Sequence, residues 1–312
     1  MVNLSVRKLF SLSFIVLVWI SMLTACTVEA DKPLSPRASL STEDVKQKAE
    51  AFKSITATNV DAWNAKDLDA IRDILTDDIQ FVDVSGSDDL KGITQVVTMA
   101  RIFCAMFPEL QRQATSHYIG VEEGIAIYDY WNWKLGAMEY TREEPFIYAF
   151  LLETRENLIS SWRLFEGIDA LEKHFISETA SQEIQSVLLS YSSAWSSMDA
   201  NTLADMYAKD AVRQDALFSE SQQGRKAIKA FAESFFTWYP KVQWTPLEMF
   251  GERGFPDKPQ AIGSSYAIEI TDPSGETCQV LAVVLLHVLD GKIVQEDLYY
   301  DAESLIQCGW AE

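Results

Sequence analysis

Downstream of residue 40, apolar and polar positions recur with two different periods. Val45, Ala49, Phe52, Ile55, Val60 and Trp63 keep an approximate helical spacing, which predicts a helix over residues 43–65. A second helix is expected over 67–75, entered through Asp67, whose carboxylate can cap it. A short strand over 79–84, a Gly/Ser/Asp turn and a third helix over 92–107, ended by Pro108, follow. The period then drops to two, and strands are expected over 113–121, 125–135, 145–154 and 158–165. The remainder repeats the order, with helices near 182–197, 200–208 and 225–239 and strands near 242–252, 260–272, 276–289 and 292–300. Asp290-Gly291 is a two-residue hairpin signal. Three helices interrupted by one short strand, then a meander of long strands, is an α+β pattern.

The repetition extends to residue identity. Shifting the chain by 132 aligns residues 62–111 with 194–243 without a gap, and 12 of the 50 pairs are identical, Trp63/Trp195, Asp67/Asp199, Asp83/Asp215, Gly92/Gly224 and Pro108/Pro240 among them. Composition alone gives about three. Two copies of one domain are expected in tandem, over 43–174 and 175–312.

The start of the chain differs in kind. Arg7 and Lys8 precede an apolar run from Leu9 to Met22 broken only by serines. The run has the layout of a secretion signal and falls short of the about 20 residues a spanning helix needs. It ends in Leu23-Thr24-Ala25-Cys26, which resembles the lipobox of bacterial lipoproteins. That resemblance implies cleavage after residue 25, acylation of Cys26 and anchoring of the exported chain by its lipid. Thr27, where an aspartate would favour inner-membrane retention, points to the outer membrane of a Gram-negative cell. Residues 26–42, with two prolines and few large apolar groups, read as a tether.

The pattern Trp63-Asn-Ala-Lys-Asp67, Asp78-Ile-Gln-Phe-Val-Asp83, Gly92 and Phe107-Pro108 resembles the SnoaL-like branch of the nuclear transport factor 2 (NTF2-like) superfamily. Trp195, Asp210, Asp215, Gly224 and Tyr239-Pro240 match in the second copy, as does the closing run Gly291 to Asp301. The resemblance implies two cone-shaped domains, each with three N-terminal helices on a curved, mostly antiparallel sheet enclosing an apolar cavity. It also implies that the outer faces of the two sheets can pair as a pseudo-dimer within the chain. Members that act as ketosteroid isomerases or polyketide cyclases set an Asp base after the first strand, with a helix-one Tyr and a second acid to stabilise an oxyanion.

Carried over by position, the base falls on Asp83 and Asp215, and the tyrosine on Tyr191, with Asn59 in the first copy. The second acid should lie within residues 146–152 or 280–284, which hold none. Each candidate also has a structural reading. Asp83 and Asp215 could cap turns, and Tyr191 shares helical spacing with Val187, Leu188, Ala194 and Trp195. His287 and His117 stand in apolar strands, as pocket acid–base groups or as satisfied core histidines. Trp63, Trp195, Tyr128 and Tyr130 are expected to line the cavities.

Composition narrows the chemistry. A net charge of −20 opposes binding to a phosphate backbone, so nucleic acid is not an expected partner. Three histidines and no cysteine clip leave no zinc signature, so neither metal nor cofactor is expected. Beyond Cys26, Cys278 and Cys308 are the expected disulfide pair, which leaves Cys104 free. Two functions fit: a non-catalytic module binding an apolar small molecule or a partner protein, and a cyclase- or isomerase-like enzyme using Asp215 with Tyr191 or His287.

Overall fold

The computed structural model describes residues 41–82, 89–108, 111–119, 124–132, 146–174, 176–218, 220–254 and 258–310; for 113–119, 124–132, 146–149, 170 and 173–174 the backbone alone is described. Helix α1 (Thr42–Ala65) starts at a reciprocal capping box between Ser41 and Asp44. Then follow α2 (Leu68–Asp73), β1 (Leu75–Val82), β2 (Leu90–Lys91), α3 (Ile93–Met106), β3 (Gln111–Ile119), β4 (Gly124–Asn132), β5 (Phe146–Arg155), β6 (Leu158–Gly167) and α4 (Ile168–His174). The same order recurs as α5 (Glu178–Ser196), α6 (Ala200–Asp205), β7 (Tyr207–Asp215), β8 (Gln222–Gln223), α7 (Arg225–Trp238), β9 (Lys241–Gly251), β10 (Gln260–Thr271), β11 (Thr277–Leu289), β12 (Lys292–Asp301) and α8 (Ala302–Gln307).

The correspondence reaches single hydrogen bonds. Asp67 caps α2 by accepting from the amides of Asp69 and Ala70, and Asp199 caps α6 by accepting from Asn201 and Thr202. Lys66 and Met198, just before these caps, both take φ 57°. Gly92 and Gly224 open α3 and α7 at φ 84° and 83°, a region costly for any residue with a Cβ. Their amides reach the carbonyls of Ile79 (2.8 Å) and Ala211 (2.7 Å). Asn64 exchanges two bonds with the backbone of Arg112, and Ser196 does the same with Trp244.

Strand pairing ties the two runs together, and residues 37–312 form one compact unit. The order β11-β10-β9-β6-β5-β4-β3-β12 closes on itself through β11–β12, so these eight long strands form one circuit. Two short ladders join the halves: β6 to β9 through Glu166↔Gly251 and Gly167↔Phe250, and β12 to β3 through Tyr300↔Ile119 and Asp301↔Tyr118. Each residue of the first ladder maps onto the second by a shift of 132 or 134, so the registers obey a pseudo-two-fold relation. β1 lies parallel to β6, and β7 parallel to β12, again in matching register: Phe81↔Trp162 and Arg213↔Glu296.

Alternation along the strands sorts side chains to two cores. Val280, Ala282, Val284, Leu286, Leu298 and Tyr300 face the helices in the larger one. Val283, Leu285 and Tyr299 turn to the other side, where they meet Phe250 and Ala261 of the second half and Leu151 and Phe165 of the first. This smaller core belongs to both halves.

Most elements fall within a few residues of expectation. The sequence reading lacks α4, α8 and the two-residue strands β2 and β8, each too short to show a period. The first strand begins at Leu75 rather than residue 79, because residues 74–75 already pair beside Ile159. Cys278 and Cys308 form a disulfide (Cα–Cα 5.7 Å) that holds α8 to β11; a loop of that length is worth about 3–4 kcal/mol in the chain-entropy account.

Gly263 of β10 is held at the shared core. A Cβ there would stand 2.5 Å from the Phe250 ring and 2.7 Å from the Val284 carbonyl oxygen, which is backbone and cannot step aside. Gly263→Ala is expected to cost about 1–3 kcal/mol, read as a lowered urea midpoint; an unchanged midpoint would show that this core is looser than drawn.

Candidate functional site

The chemistry-bearing residues of the second half meet inside it, between α5, β7, α7 and β12. Period two turns Arg213 and Asp215 of β7, and Glu296 of β12, toward the helices. All three are buried, at 1%, 2% and 0% exposure. Arg213 Nε donates to Glu296 Oε1 at 3.0 Å, Nη2 to Asp215 Oδ2 at 2.8 Å and Nη1 to Gln222 Oε1 at 2.9 Å. Its guanidinium lies 4.4 Å from the centre of the Phe231 ring and 5.5 Å from that of Trp195. Tyr191 donates to Glu296 Oε1 at 2.9 Å, and Tyr207 donates to Oε2. The other oxygen of Asp215 accepts from the Leu217 amide at 3.0 Å, and the Asp215 carboxylate, after burial, raises the Tyr300 phenol well above its ordinary range.

The electrostatics follow from this enclosure. Burial, and then the Glu296 charge, push the Tyr191 and Tyr207 phenols well above their ordinary range, so both remain donors. Burial opposes the charge on Arg213, but Glu296 and Asp215 outweigh it and raise its affinity for the proton. Around the network pack Trp195, stacked on Trp244 at 5.2 Å, then Phe235 and Tyr266. Every oxygen of the two carboxylates is engaged by a donor of the same chain.

Sequence reasoning brought Asp215 and Tyr191 to this interior, and both are there. It missed Arg213, Tyr207 and Glu296. The third strand holds no acid at 280–284, as expected, and the acid that shares this interior with Asp215 is Glu296 of the last strand. The available signal was Glu296-x-Leu298-x-Tyr300, inward positions of a strand whose register the closing run already fixed. Trp63 and Trp195 are core aromatics, T-shaped against Trp162 and Phe235 respectively. Asp83 lies outside the described residues, as do the side chains of His117, Tyr128 and Tyr130, and residues 1–40 with Cys26.

His287 is a correction. It lies between the inward Leu286 and Val288, and period two sends it to the opposite face of the sheet, toward the first half. There its Nε2 stands 3.7 Å from Asp297 Oδ2, and Gln295 Nε2 donates to both Asp297 oxygens at 2.8 and 3.1 Å. Burial, then Arg163, lowers His287 to about 4. Burial, opposed by the Gln295 hydrogen bond, raises Asp297 to about 6. Near pH 5 both are therefore neutral in the folded chain, and the contact is not an ion pair.

In the first half the same positions carry other residues. Asn59 replaces Tyr191, Leu75 replaces Tyr207, Phe81 replaces Arg213 and Trp162 replaces Glu296. The interior is aromatic: Trp162 meets Trp63, Phe81 and Phe150 with ring centroids 5.6–5.8 Å apart. Arg112, at the place of Trp244, lies 5.0–5.4 Å from the ring centres of Phe150, Trp63 and Trp162. On the buried face of α1, one turn apart, Thr56 Oγ1 and Asn59 Oδ1 have no hydrogen-bond partner among the described residues, at 2% and 1% exposure. The equivalents in the second half are Leu188 and the fully bonded Tyr191.

Residues 188–296 match the family model of the SnoaL-like domain. The chain carries a SnoaL-like domain. Similar solved structures include a hypothetical protein with a ketosteroid isomerase-like fold from Catenulispora acidiphila, in complex with trimethylamine (19% identity, 35% of this chain and 82% of that one, TM-score 0.33). A SnoaL-like protein of unknown function from Burkholderia thailandensis (21% identity, 36% and 92%, TM-score 0.30) is another. A third is an NTF2-like protein of unknown function from Cytophaga hutchinsonii (11% identity, 43% and 96%, TM-score 0.29). No curated protein matches the chain. Among the described residues, no group of three His, Cys, Asp or Glu side chains could hold a metal ion, and no helix is long and apolar enough to cross a membrane.

Two outcomes follow for this SnoaL-like half. Arg213→Leu strands two buried carboxylates and is expected to cost about 3–5 kcal/mol. Arg213→Phe combined with Glu296→Trp, the first half's pair, should cost less than Arg213→Leu alone in a urea titration. The second concerns pH. Between pH 6.5 and 4 the unfolded chain protonates His287 and the folded chain does not, so acid weakens folding. Between pH 6 and 3.8 the folded chain protonates Asp297 and the unfolded chain does not, so acid strengthens folding by a similar amount. Asp297→Asn removes the second effect. That variant should lose on the order of 2–3 kcal/mol more than the parent between pH 6.5 and 4; parallel stability–pH curves would refute the neutral pair.

Proposed function

We propose that the protein is an exported, lipid-anchored pair of SnoaL-like domains that binds an apolar small molecule without catalysis, the first domain taking the ligand and the second serving as scaffold. The basic start, the apolar run and Cys26 support the anchor. The tandem reading is supported by the repeated element order, the shared offsets of the two joining ladders and the doubled Asn64/Ser196 contact.

The exchange of residues between the two interiors carries the division of labour. In the second domain Arg213, Asp215, Glu296, Tyr191 and Tyr207 bond one another out of contact with water, so that every carboxylate oxygen already accepts a hydrogen bond. A general base must reach the proton it abstracts, and the Asp215 oxygens are held by Arg213 and the Leu217 amide. This weighs against an isomerase or cyclase acting through Asp215. In the first domain the walls are aromatic, and two polar groups of α1 lack partners among the described residues, in a place where nearly all buried polar groups have one. Such walls with a few convergent polar atoms suit an apolar compound bearing a hydroxyl or carbonyl group.

The test is native mass spectrometry of the delipidated chain against apolar alcohols and ketones. Binding is expected at one molecule per chain. Thr56→Leu with Asn59→Tyr, which imports the second domain's residues, should abolish binding. It should also stabilise the free chain by about 1–2 kcal/mol for each buried polar group relieved. Binding that survives these substitutions would place the ligand elsewhere. Turnover of a bound ketone, abolished by Asp215→Asn, would overturn the non-catalytic reading.

A further inference from the structure

Where the two sheets face each other, the shared apolar core is flanked by charged groups, and their distribution between the halves is unequal. Arg163 of β6 donates to Glu252, just past β9, through Nη2 to Oε1 at 2.7 Å and Oε2 at 2.9 Å, and through Nε to Oε2 at 3.1 Å. Glu252 also accepts from the Ala261 amide at 3.0 Å, which fixes its carboxylate. The β1–β6 and β7–β12 registers, Val82↔Arg163 and Gln214↔Asp297, make Asp297 the counterpart of Arg163. The β5–β6 and β11–β12 registers, Glu153↔Ser161 and His287↔Gln295, make His287 the counterpart of Glu153. Glu252 corresponds by the 132 shift to Gly120, so the acid that Arg163 binds has no charged counterpart in the first half. The Arg163 charge is also felt by Asp297 and His287 across the interface.

We propose that these charges form a pairing code: each sheet face accepts the other half of the chain and rejects a copy of itself. The proposal rests on the tandem reading above. Two first halves brought face to face would oppose two Arg163 guanidinium groups and offer each a glycine in place of Glu252. Two second halves would bury Glu252 and Asp297 from both copies, four acids and no arginine. Only the mixed pairing supplies Arg163 with Glu252 and its three hydrogen bonds; two first halves would leave it the exposed Glu153 alone. The apolar part of the face carries no such discrimination, because Leu151 and Phe165 stand where the second half has Leu285 and Tyr299. Without the charges, a face from another molecule would serve as well as the one in the same chain. Buried ion pairs commonly contribute little net stability, while a wrong partner that leaves such charges unpaired is heavily penalised.

The experiment uses the full chain carrying Cys26→Ala, in mild detergent, refolded from urea at low and high protein concentration, with mass read by light scattering. The parent should return as a monomer at both concentrations. Arg163→Leu with Glu252→Leu and Asp297→Leu should hold its Tm to within roughly 5 °C, since one kcal/mol moves a chain of this size by a few degrees. It should nevertheless refold partly to dimers or larger species, in a fraction that rises with concentration. Arg163→Gln with Glu252→Gln and Asp297→Asn, which keeps shape but not charge, should do the same and covers the case in which the leucine variant does not fold. Complete return of both variants, or of whichever folds, to monomer would overturn the code, as would a parent that dimerises at high concentration. A separate pair, Glu166→Cys with Gly251→Cys, tests the face-to-face arrangement itself. These positions are partners across the β6–β9 ladder, and oxidation should link them within one chain. If that link fails to form, the tandem arrangement is wrong; if it forms while the neutral variants stay monomeric, only the code is.

Discussion

A sheet with helices on one side has a second apolar face that water cannot be left to cover, and the rest of this structure depends on how that face is closed. In the second half it carries Val283, Leu285, Tyr299, Phe250 and Ala261, and what closes it is Leu151 and Phe165 of the first half. Burial of this kind stabilises by roughly 25 cal/mol per Å² of apolar surface, but it is non-directional. Direction comes from the two short ladders at the ends of the sheets, which join the long strands into a closed circuit and fix one register. Gly263 shows how tightly the faces meet: its missing Cβ is the space the Phe250 ring occupies.

With the faces engaged, the two interiors are free to diverge, because each needs only to fill its own cone. The frame is kept in both: the Asp67 and Asp199 caps, the Gly92 and Gly224 entries to the third helix, and the Asn64 and Ser196 clamps on the following strand. The contents differ. The second interior has Tyr191, Tyr207, Arg213 and Glu296 where the first has Asn59, Leu75, Phe81 and Trp162, a set in which every member is satisfied by another. Such a network tolerates no partial change, since removing one member leaves a buried charge or donor exposed to a medium that cannot solvate it. The first interior keeps aromatic walls and leaves Thr56 and Asn59 without partners among the described residues.

Much of the frame was legible in the sequence, for identifiable reasons. Helices as long as α1 and α5 give several turns of apolar period. The meander strands alternate, and Asp67, Gly92 and Pro108 mark boundaries that physical chemistry restricts to few residue types. The doubling made each signal count twice. What stayed hidden was short or non-local. Helices α4 and α8, of seven and six residues, are too brief for a period. Arg213 and Glu296 are 83 residues apart, and nothing local says that their strands lie side by side. His287 kept two readings, pocket group or core histidine, because its neighbours are apolar and in this strand both faces are buried. An apolar strand packed on two sides gives no cue to which side a polar residue takes.

The position of His287 also explains why a histidine and an aspartate 3.7 Å apart do not amount to a catalytic pair. A base needs a partner that stabilises its charged form, and the surroundings here do the reverse. Burial disfavours imidazolium and carboxylate alike, Arg163 adds to the cost of charging His287, and Gln295 only partly restores the Asp297 anion. Folding in the window near pH 5 leaves both groups neutral where the unfolded chain holds both charged. The proton count is then nearly the same in the two states, and the pair adds little pH dependence while both members are present. Two polar groups are thus accommodated between apolar sheets because burial keeps each of them neutral, while Arg163 and Glu252 beside them are held to each other by three hydrogen bonds. The same interface meets the problem of a buried titratable group in two ways, by burial of neutral forms at His287 and Asp297 and by direct hydrogen bonding between Arg163 and Glu252.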